Sequence, residues 1–454
     1  MKKLIGTKSF YKMVFLICFP IIIQNGFTNL ASLLDNIMIG QLGTLSMSGV
    51  SITNQLLQVF NVTILGAMSG PGIFMAQYFG KKDQEGVQHC FKIKLMIGTL
   101  IAFIGILLFL FLGNQLISLY LNDSPDLNAQ TLGFGMTYLK IMLVGLIPFM
   151  ISQVCSSSLR ETGNTILPMI ASVIAVIINF CINYLLIFGS FGFPKLGVAG
   201  AAIGTVVSRF VEMGINIYGA SKNEYLHSSF KSLSIPLETF KATLKRSLPL
   251  LCNEILWSIA IALISQSYST RGITAIAAIN ITTTVTNFFM IVCYAMGNSI
   301  AIIVGQQLGA GNIDQAKDYD FKMVFMNVIL CFILGLALFN FGSIIPNIYN
   351  TITEVKTLAS SLLKISACMM PVISLYYSSY FTMRAGGKTV LTFLFDSGYS
   401  FVFTFTVSLL LTRFTSLPIF WVYLLVQCVD IPKALIGLIL VKKGIWINNI
   451  VSEL

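Results

Sequence analysis

The sequence predicts an all-α integral membrane protein of twelve transmembrane helices, and three observations carry that expectation. Of its 454 residues, 56% are hydrophobic and only 10% are charged, whereas a soluble domain carries roughly 25% charged residues. Apolar runs of the length a bilayer crossing needs, about 20 residues, recur from one end of the chain to the other. Polar and charged residues gather in short segments between those runs. A membrane barrel is excluded, because its strands would be about half as long and would alternate in polarity.

Taken in order, the apolar runs place spans near 13–38, 45–76, 93–113, 130–158, 166–188, 197–220, 241–267, 275–304, 321–341, 356–382, 389–411 and 418–441. The opening MKKLIGTKSFYKMVFLICF has the basic head of a secretory signal, but no small-residue cleavage site ends it, so it is expected to stay as the first helix. The longest polar stretch, SKNEYLHSSFKSLSIPLETFK, falls near the middle and divides the chain into two six-helix lobes, 1–222 and 223–454. Pro20, Pro148, Pro249 and Pro371 lie within spans, where a missing N–H permits bends.

Lysine and arginine set the orientation. With the N-terminus inside, the inner segments hold 21 of them, including Lys2, Lys3, Lys94, Arg209 and Lys231, and the outer segments hold only Lys195, Arg271, Lys356 and Arg413. Both termini are therefore expected in the cytoplasm of a plasma-membrane protein. The net charge of +11 sits in these connectors against anionic lipid, so no nucleic-acid partner is expected. Of the nine cysteines, Cys18, Cys155, Cys181, Cys252, Cys293, Cys331, Cys368 and Cys428 fall in apolar runs without metal or redox spacing, and read as buried small hydrophobes. No phosphate-binding glycine loop and no dinucleotide fingerprint is present. Pumping would need a source other than ATP, and no cofactor is expected.

The two halves repeat. Pro20 of FPIIIQN pairs with Pro249 of LPLLCNE at an offset of 229, as do Gly43 with Gly272 and AQYFGKKD (76–83) with GQQLGAGN (305–312). Further on the offset becomes 224, pairing Arg160 of RETGNTIL with Arg384 of RAGGKTVL, Lys140 with Lys364 and Pro194 with Pro418. Six spans per half, starting on the same side, imply a parallel repeat with a pseudo-twofold axis along the membrane normal, the symmetry transporters use to rock two bundles about a cleft.

DNIMIGQLGT, AQYFGKKD, RETGNTILPM and NFCINYLLIFGSFGFPKLGVAGAAIGT, with GQQLGAGN and RAGGKT in the second half, resemble the multidrug and toxic compound extrusion (MATE) family over nearly the whole chain. The resemblance implies a secondary antiporter that expels small organic cations in exchange for inward H+ or Na+, acting as a monomer in the bilayer. A flippase for a lipid-linked sugar, from the wider superfamily, is the alternative. Its strongly basic cavity is poorly matched here, where Lys140 and Lys364 are the lysines that stand well away from the span ends before the last span. A membrane enzyme would need clustered histidines, acids or serines near an interface; His89 and His227, the only histidines, lie in polar connectors.

Asp35 stands in the apolar context FTNLASLLDNIMIG. Desolvating a carboxylate costs several kcal/mol, so it should be functional, partnered or protonated, unless it simply reaches water at a helix end. The resemblance makes it the cation-coupling group. Asn179 and Asn183, at i and i+4, share a helix face, and with Thr205 they resemble the fifth- and sixth-helix polar groups that family members place around this aspartate; Gln153, late on the fourth span, is a further candidate. They would serve H+ coupling, or sodium as a hard cation preferring oxygen, or else merely bond helix to helix. In the second half, Glu254 and Asp396 are candidate charges for substrate, or else ion pairs with Lys364, Lys140 or Lys433. Tyr376 and Tyr380, with Met369 before them, suit a promiscuous cation cleft or ordinary packing.

Overall fold

A backbone in hydrocarbon has no water to bond, so each apolar run closes its hydrogen bonds within itself as a helix. The computed structural model describes residues 5–121, 124–227, 235–349 and 351–452. Lys2, Lys3 and Lys231, three of the charges that set the expected orientation, lie outside them. The helices are α1 (Lys8–Gly40), α2 (Thr44–Lys81), α3 (Gln84–Ser118), α4 (Pro125–Val144), α5 (Leu146–Glu161), α6 (Ile166–Phe188), α7 (Val198–Lys222), α8 (Leu237–Ser269), α9 (Ile273–Gly309), α10 (Ile313–Phe341), α11 (Thr353–Ala385), α12 (Thr389–Phe414) and α13 (Ile419–Lys442). No strand occurs among the described residues. Among the described residues eleven helices are each long and apolar enough to cross a membrane, and α4 with α5, bent by 49°, makes a twelfth when the pair is taken as one span.

That bend has a local cause. Pro148 has no N–H to give the carbonyl of Val144, four residues back, so the helix cannot run through Gly145. The Gly145 carbonyl keeps its regular bond from the Phe149 N–H at 3.1 Å and also accepts from Arg209 Nη1 at 3.3 Å. Arg209, expected among the connector charges, therefore belongs inside the membrane: it lies mid-way along α7, its guanidinium 4.9 Å above the Phe149 ring. Lys94 is likewise a buried group of α3, paired with Glu161 and donating to Ser157 at 2.9 Å and Ser158 at 3.3 Å. Counting charges along a sequence cannot see such pairing. The cysteines need correction too: Cys181, Cys252 and Cys368 are exposed. Lipid is as apolar as a protein interior, so an apolar run does not tell an outward residue from an inward one.

By packing, the chain forms two compact units. The amino-terminal unit comprises Ile23–Met75 and Asp83–Lys241; the carboxy-terminal unit comprises the chain up to Ile22, Ala76–Lys82 and everything from Ala242. In the amino-terminal unit α7 packs against α4, α5 and α6. In the carboxy-terminal unit α11 packs against α9, α10 and α13. The end of α2 crosses α9 there at two glycines. A Cβ on Gly80 would lie 1.9 Å from the Gln306 carbonyl oxygen, and one on Gly309 would lie 1.9 Å from that of Gln77. The two contacts are reciprocal and separated by the repeat offset of 229. We expect Gly309→Val to destabilise the protein by about 1–3 kcal/mol or more, since the clash is with backbone. Thermal unfolding in detergent reads this, and an unchanged midpoint would show that the helices can part without cost.

α12 departs from regular α geometry. Leu394–Gly398 and Ser400–Phe405 form wider π turns, a distortion that often marks functional sites. On these turns Asp396 meets Asn253 of α8 and Lys433 of α13, and Ser400 meets Lys433, as the contacts below show.

Candidate functional site

In the amino-terminal unit, close approach of α6 and α7 comes first. Cβ atoms on Gly200 and Gly204 would lie 2.6 Å from Leu186 backbone and 2.1 Å from Asn183 Oδ1, so GAAIG acts as a small-xxx-small contact. The helices thus meet where Asn179, Asn183 and Thr205 lie. Asn183 Nδ2 donates to Asp35 Oδ1 at 2.6 Å and to Asn179 Oδ1 at 3.3 Å, and Asn179 Nδ2 donates to Thr205 Oγ1 at 3.2 Å. With the Asn179 amide turned over, its nitrogen lies 2.9 Å from Asp35 Oδ1 and its oxygen faces Thr205. Both amides then donate to the carboxylate. Asp35 is half-buried, and among the described residues no basic group pairs with it.

Four of the five residues expected here are brought together. Gln153 is not: among the described residues no hydrogen bond joins it to the cluster. It lies only two turns from the Glu161 end of α5, and its neighbour Ser152 bonds Asn216 instead, at 2.9 Å. The cluster offers carboxylate, amide and hydroxyl oxygens, including the buried Asn183 Oδ1, which has no hydrogen-bond partner. Such a set suits a proton on Asp35 or a hard monovalent cation. No group of three or more His, Cys, Asp or Glu side chains among the described residues could hold a metal.

In the carboxy-terminal unit the same chemistry is arranged differently. Lys433 Nζ donates to Asp396 Oδ1 at 2.9 Å and Ser400 Oγ at 3.2 Å, while Asn253 Nδ2 donates to Asp396 Oδ2 at 3.1 Å. The ammonium also lies 4.4 Å from the centre of the Tyr376 ring, 5.8 Å from Phe395 and 5.9 Å from Tyr399. A carboxylate and three aromatic faces make a cation cage, and the protein's own lysine fills it. Glu254 is different: the Tyr380 hydroxyl donates to it at 3.4 Å, and Asn253 and Arg384 lie near it. Tyr376, Tyr380 and Met369 are all buried, and Met369 lies two turns from the cage residue on α11.

Sequence reasoning overlooked Asn253 and Ser400, which no pattern marks before the π turns place them. It also passed over Glu212, an acid in the apolar run FVEMGIN, seven residues after Thr205 on α7. Its presence in a span was signal enough.

The MatE family model matches residues 20–185 and again 249–410. The chain belongs to the MatE family. As a MatE protein it is a transporter and not an enzyme. It is similar to a protein of Thermotoga maritima described as probable multidrug resistance protein NorM, at 24% identity over 82% of this chain and 79% of that protein. A Streptococcus pneumoniae protein of the same description is 30% identical over 67% of this chain and 66% of its own length. Among solved structures, the Vibrio cholerae MATE transporter VcmN in its bent form superposes with a TM-score of 0.86 at 18% identity, over 96% of this chain and 97% of that one. A MOP-superfamily transporter from Pyrococcus furiosus, in which reverse polarity of the binding pocket suggests a different function, gives 0.87 at 16% identity, over 97% and 98%. At such identities these MATE-like structures speak for the fold, which they share over nearly their full length.

Proposed function

We propose that this MatE protein is a secondary active multidrug exporter that expels small organic cations in exchange for inward H+ or Na+, with Asp35 as the coupling group. One contrast carries the reading. Asp396 is neutralised by Lys433 at 2.9 Å, whereas Asp35 is met by neutral amides. A carboxylate in a membrane with only neutral partners is left to bind a mobile cation, and Asn179, Asn183 and Thr205 supply the oxygens and donors around it. The NorM descriptions of its relatives support multidrug export. We place it as a monomer in the plasma membrane with both termini inside. Its halves, 1–222 and 223–454, are read as pseudo-twofold mates, a reading supported by the double family match and the reciprocal glycine contacts.

Reconstituted vesicles with a fluorescent organic cation, and with sodium and pH gradients imposed separately, test the proposal. One of the two gradients should drive uptake of the dye against its own gradient. Dye movement indifferent to both would overturn it.

Of the two acids expected to attract a drug cation in the carboxy-terminal unit, Asp396 is held by Lys433, and we assign that role to Glu254. Glu254→Gln should weaken export of cationic dyes several-fold more than export of neutral ones, because attraction to a carboxylate acts on charge and grows at low dielectric. Equal loss for both dye classes would assign Glu254 a structural role.

A further inference from the structure

Glu212 is an intramembrane carboxylate that the coupling site leaves unused. It belongs to a polar file on one face of α7: Thr205, Arg209, Glu212 and Asn216 follow at intervals of four, three and four, the spacing of one helical stripe. Its members reach α5, α6 and the break between α4 and α5. Thr205 meets Asn179 of α6 at 3.2 Å, Arg209 meets the break at Gly145 at 3.3 Å, and Asn216 meets Ser152 of α5 at 2.9 Å.

Glu212 itself accepts from Ser172 Oγ of α6 at 2.7 Å. Ser172 accepts in turn from Gln24 Nε2 of α1 at 3.0 Å, and Gln24 Oε1 accepts from Arg160 Nη1 of α5 at 3.4 Å. The titratable and charged groups facing Glu212 are Arg209 one turn before it on α7 and Arg160 on α5, and Ser152 adds a hydroxyl. Tyr138 of α4 lies beside Thr205 and Arg209. The direct hydrogen-bond donors to the carboxylate are hydroxyls, which serve either protonation state: Ser172 can donate to the anion or accept from the acid.

Two features separate this acid from a structural ion pair. Among the described residues no basic nitrogen lies within ion-pair distance of the Glu212 carboxylate. It also stands about two helical turns, roughly 10 Å, from Thr205 in the coupling cluster, with Arg209 between. With Asp35 of α1 beside one end and Arg160 of α5 linked through Gln24 and Ser172, the charges alternate in sign: Asp35, Arg209, Glu212, Arg160. A cation arriving at the acids makes their neutral forms less favourable at once, since at low dielectric such charges interact over this distance.

We propose that Glu212 is a second proton-carrying group of the amino-terminal unit, releasing its proton to water when an organic cation binds and regaining one when the cation leaves. The proposal rests on the reading of Asp35 as a coupling carboxylate and adds a second exchangeable proton to it. No covalent bond other than the carboxyl O–H changes, and the proton lost appears in solvent.

Purified protein in weak buffer with a pH-indicator dye counts those protons on addition of tetraphenylphosphonium, which carries none of its own. The wild type should release protons from both acids, Glu212→Gln and Asp35→Asn about half as many each, and the double variant none. Glu212→Gln releasing as many protons as the wild type, with tetraphenylphosphonium still bound, would overturn the proposal. So would release of none by the wild type. Asp35→Asn releasing the full number would instead sink the Asp35 reading and leave Glu212 standing. Should Glu212→Gln fail to fold, Ser172→Ala keeps the acid and removes its hydroxyl partner. It should move the pH range over which release occurs, and an unmoved range would equally overturn the assignment.

Discussion

Asp35→Asn should reduce gradient-driven efflux by at least about tenfold, to the level of passive leak, while leaving folding and drug binding largely intact. The amide has the shape of the acid, and its oxygen can still accept from Asn183 Nδ2, which stands 2.6 Å from Asp35 Oδ1. What it cannot do is take up and give back a charge. A carboxylate that alternates between bare and neutralised favours different conformations in the two states, because burying the bare anion costs several kcal/mol. Removing that difference uncouples the ion gradient from the conformational equilibrium. The measurement is dye efflux from vesicles under an imposed gradient, beside dye binding to the same purified variant. Asp35→Glu, which restores a titratable group, should recover part of the efflux. Full driven efflux by a folded Asp35→Asn would falsify the assignment, and failure of both variants to insert would mark Asp35 as structural.

Lys433→Met should be the most destabilising single change in the carboxy-terminal unit. It strands Asp396, 5% exposed, without its ammonium and leaves the Tyr376 face without a cation. Breaking one side of a buried pair costs about 3–5 kcal/mol, whereas replacing both partners by neutral groups of similar shape is often nearly neutral. The double variant Lys433→Met with Asp396→Asn should therefore melt close to the wild type, since the two changes are strongly coupled. Thermal unfolding of the four proteins in detergent closes the cycle, and additive losses would show that the pair does not hold the unit together. The double variant should also keep driven export of cations. If it folds but exports nothing, the Asp396 carboxylate belongs to the transport site after all, and the contrast with Asp35 fails.

By itself the sequence determined the features written in runs and repeats. Twelve apolar stretches specify twelve spans, because hydrocarbon leaves an isolated backbone no choice but helix, and the same reasoning identifies the family motifs by their order. Helix arithmetic put Asn179 and Asn183 on one face, and the family resemblance placed them with Thr205 around Asp35. The tertiary structure decided the rest, and always for groups whose state depends on neighbours far along the chain. Only packing shows that Asp396 is neutralised by Lys433, 37 residues on, that Arg209 bonds the Gly145 carbonyl at the bend, and that Asn216 rather than the coupling cluster is what α5 meets beside Gln153. The physical reason is the range of the forces involved. Hydrophobic burial and helix periodicity are local in sequence and leave a pattern there. The charge state and partner of a buried polar group are fixed by whatever side chain the fold delivers within about 3 Å, and in a membrane that partner leaves no periodic trace in the sequence.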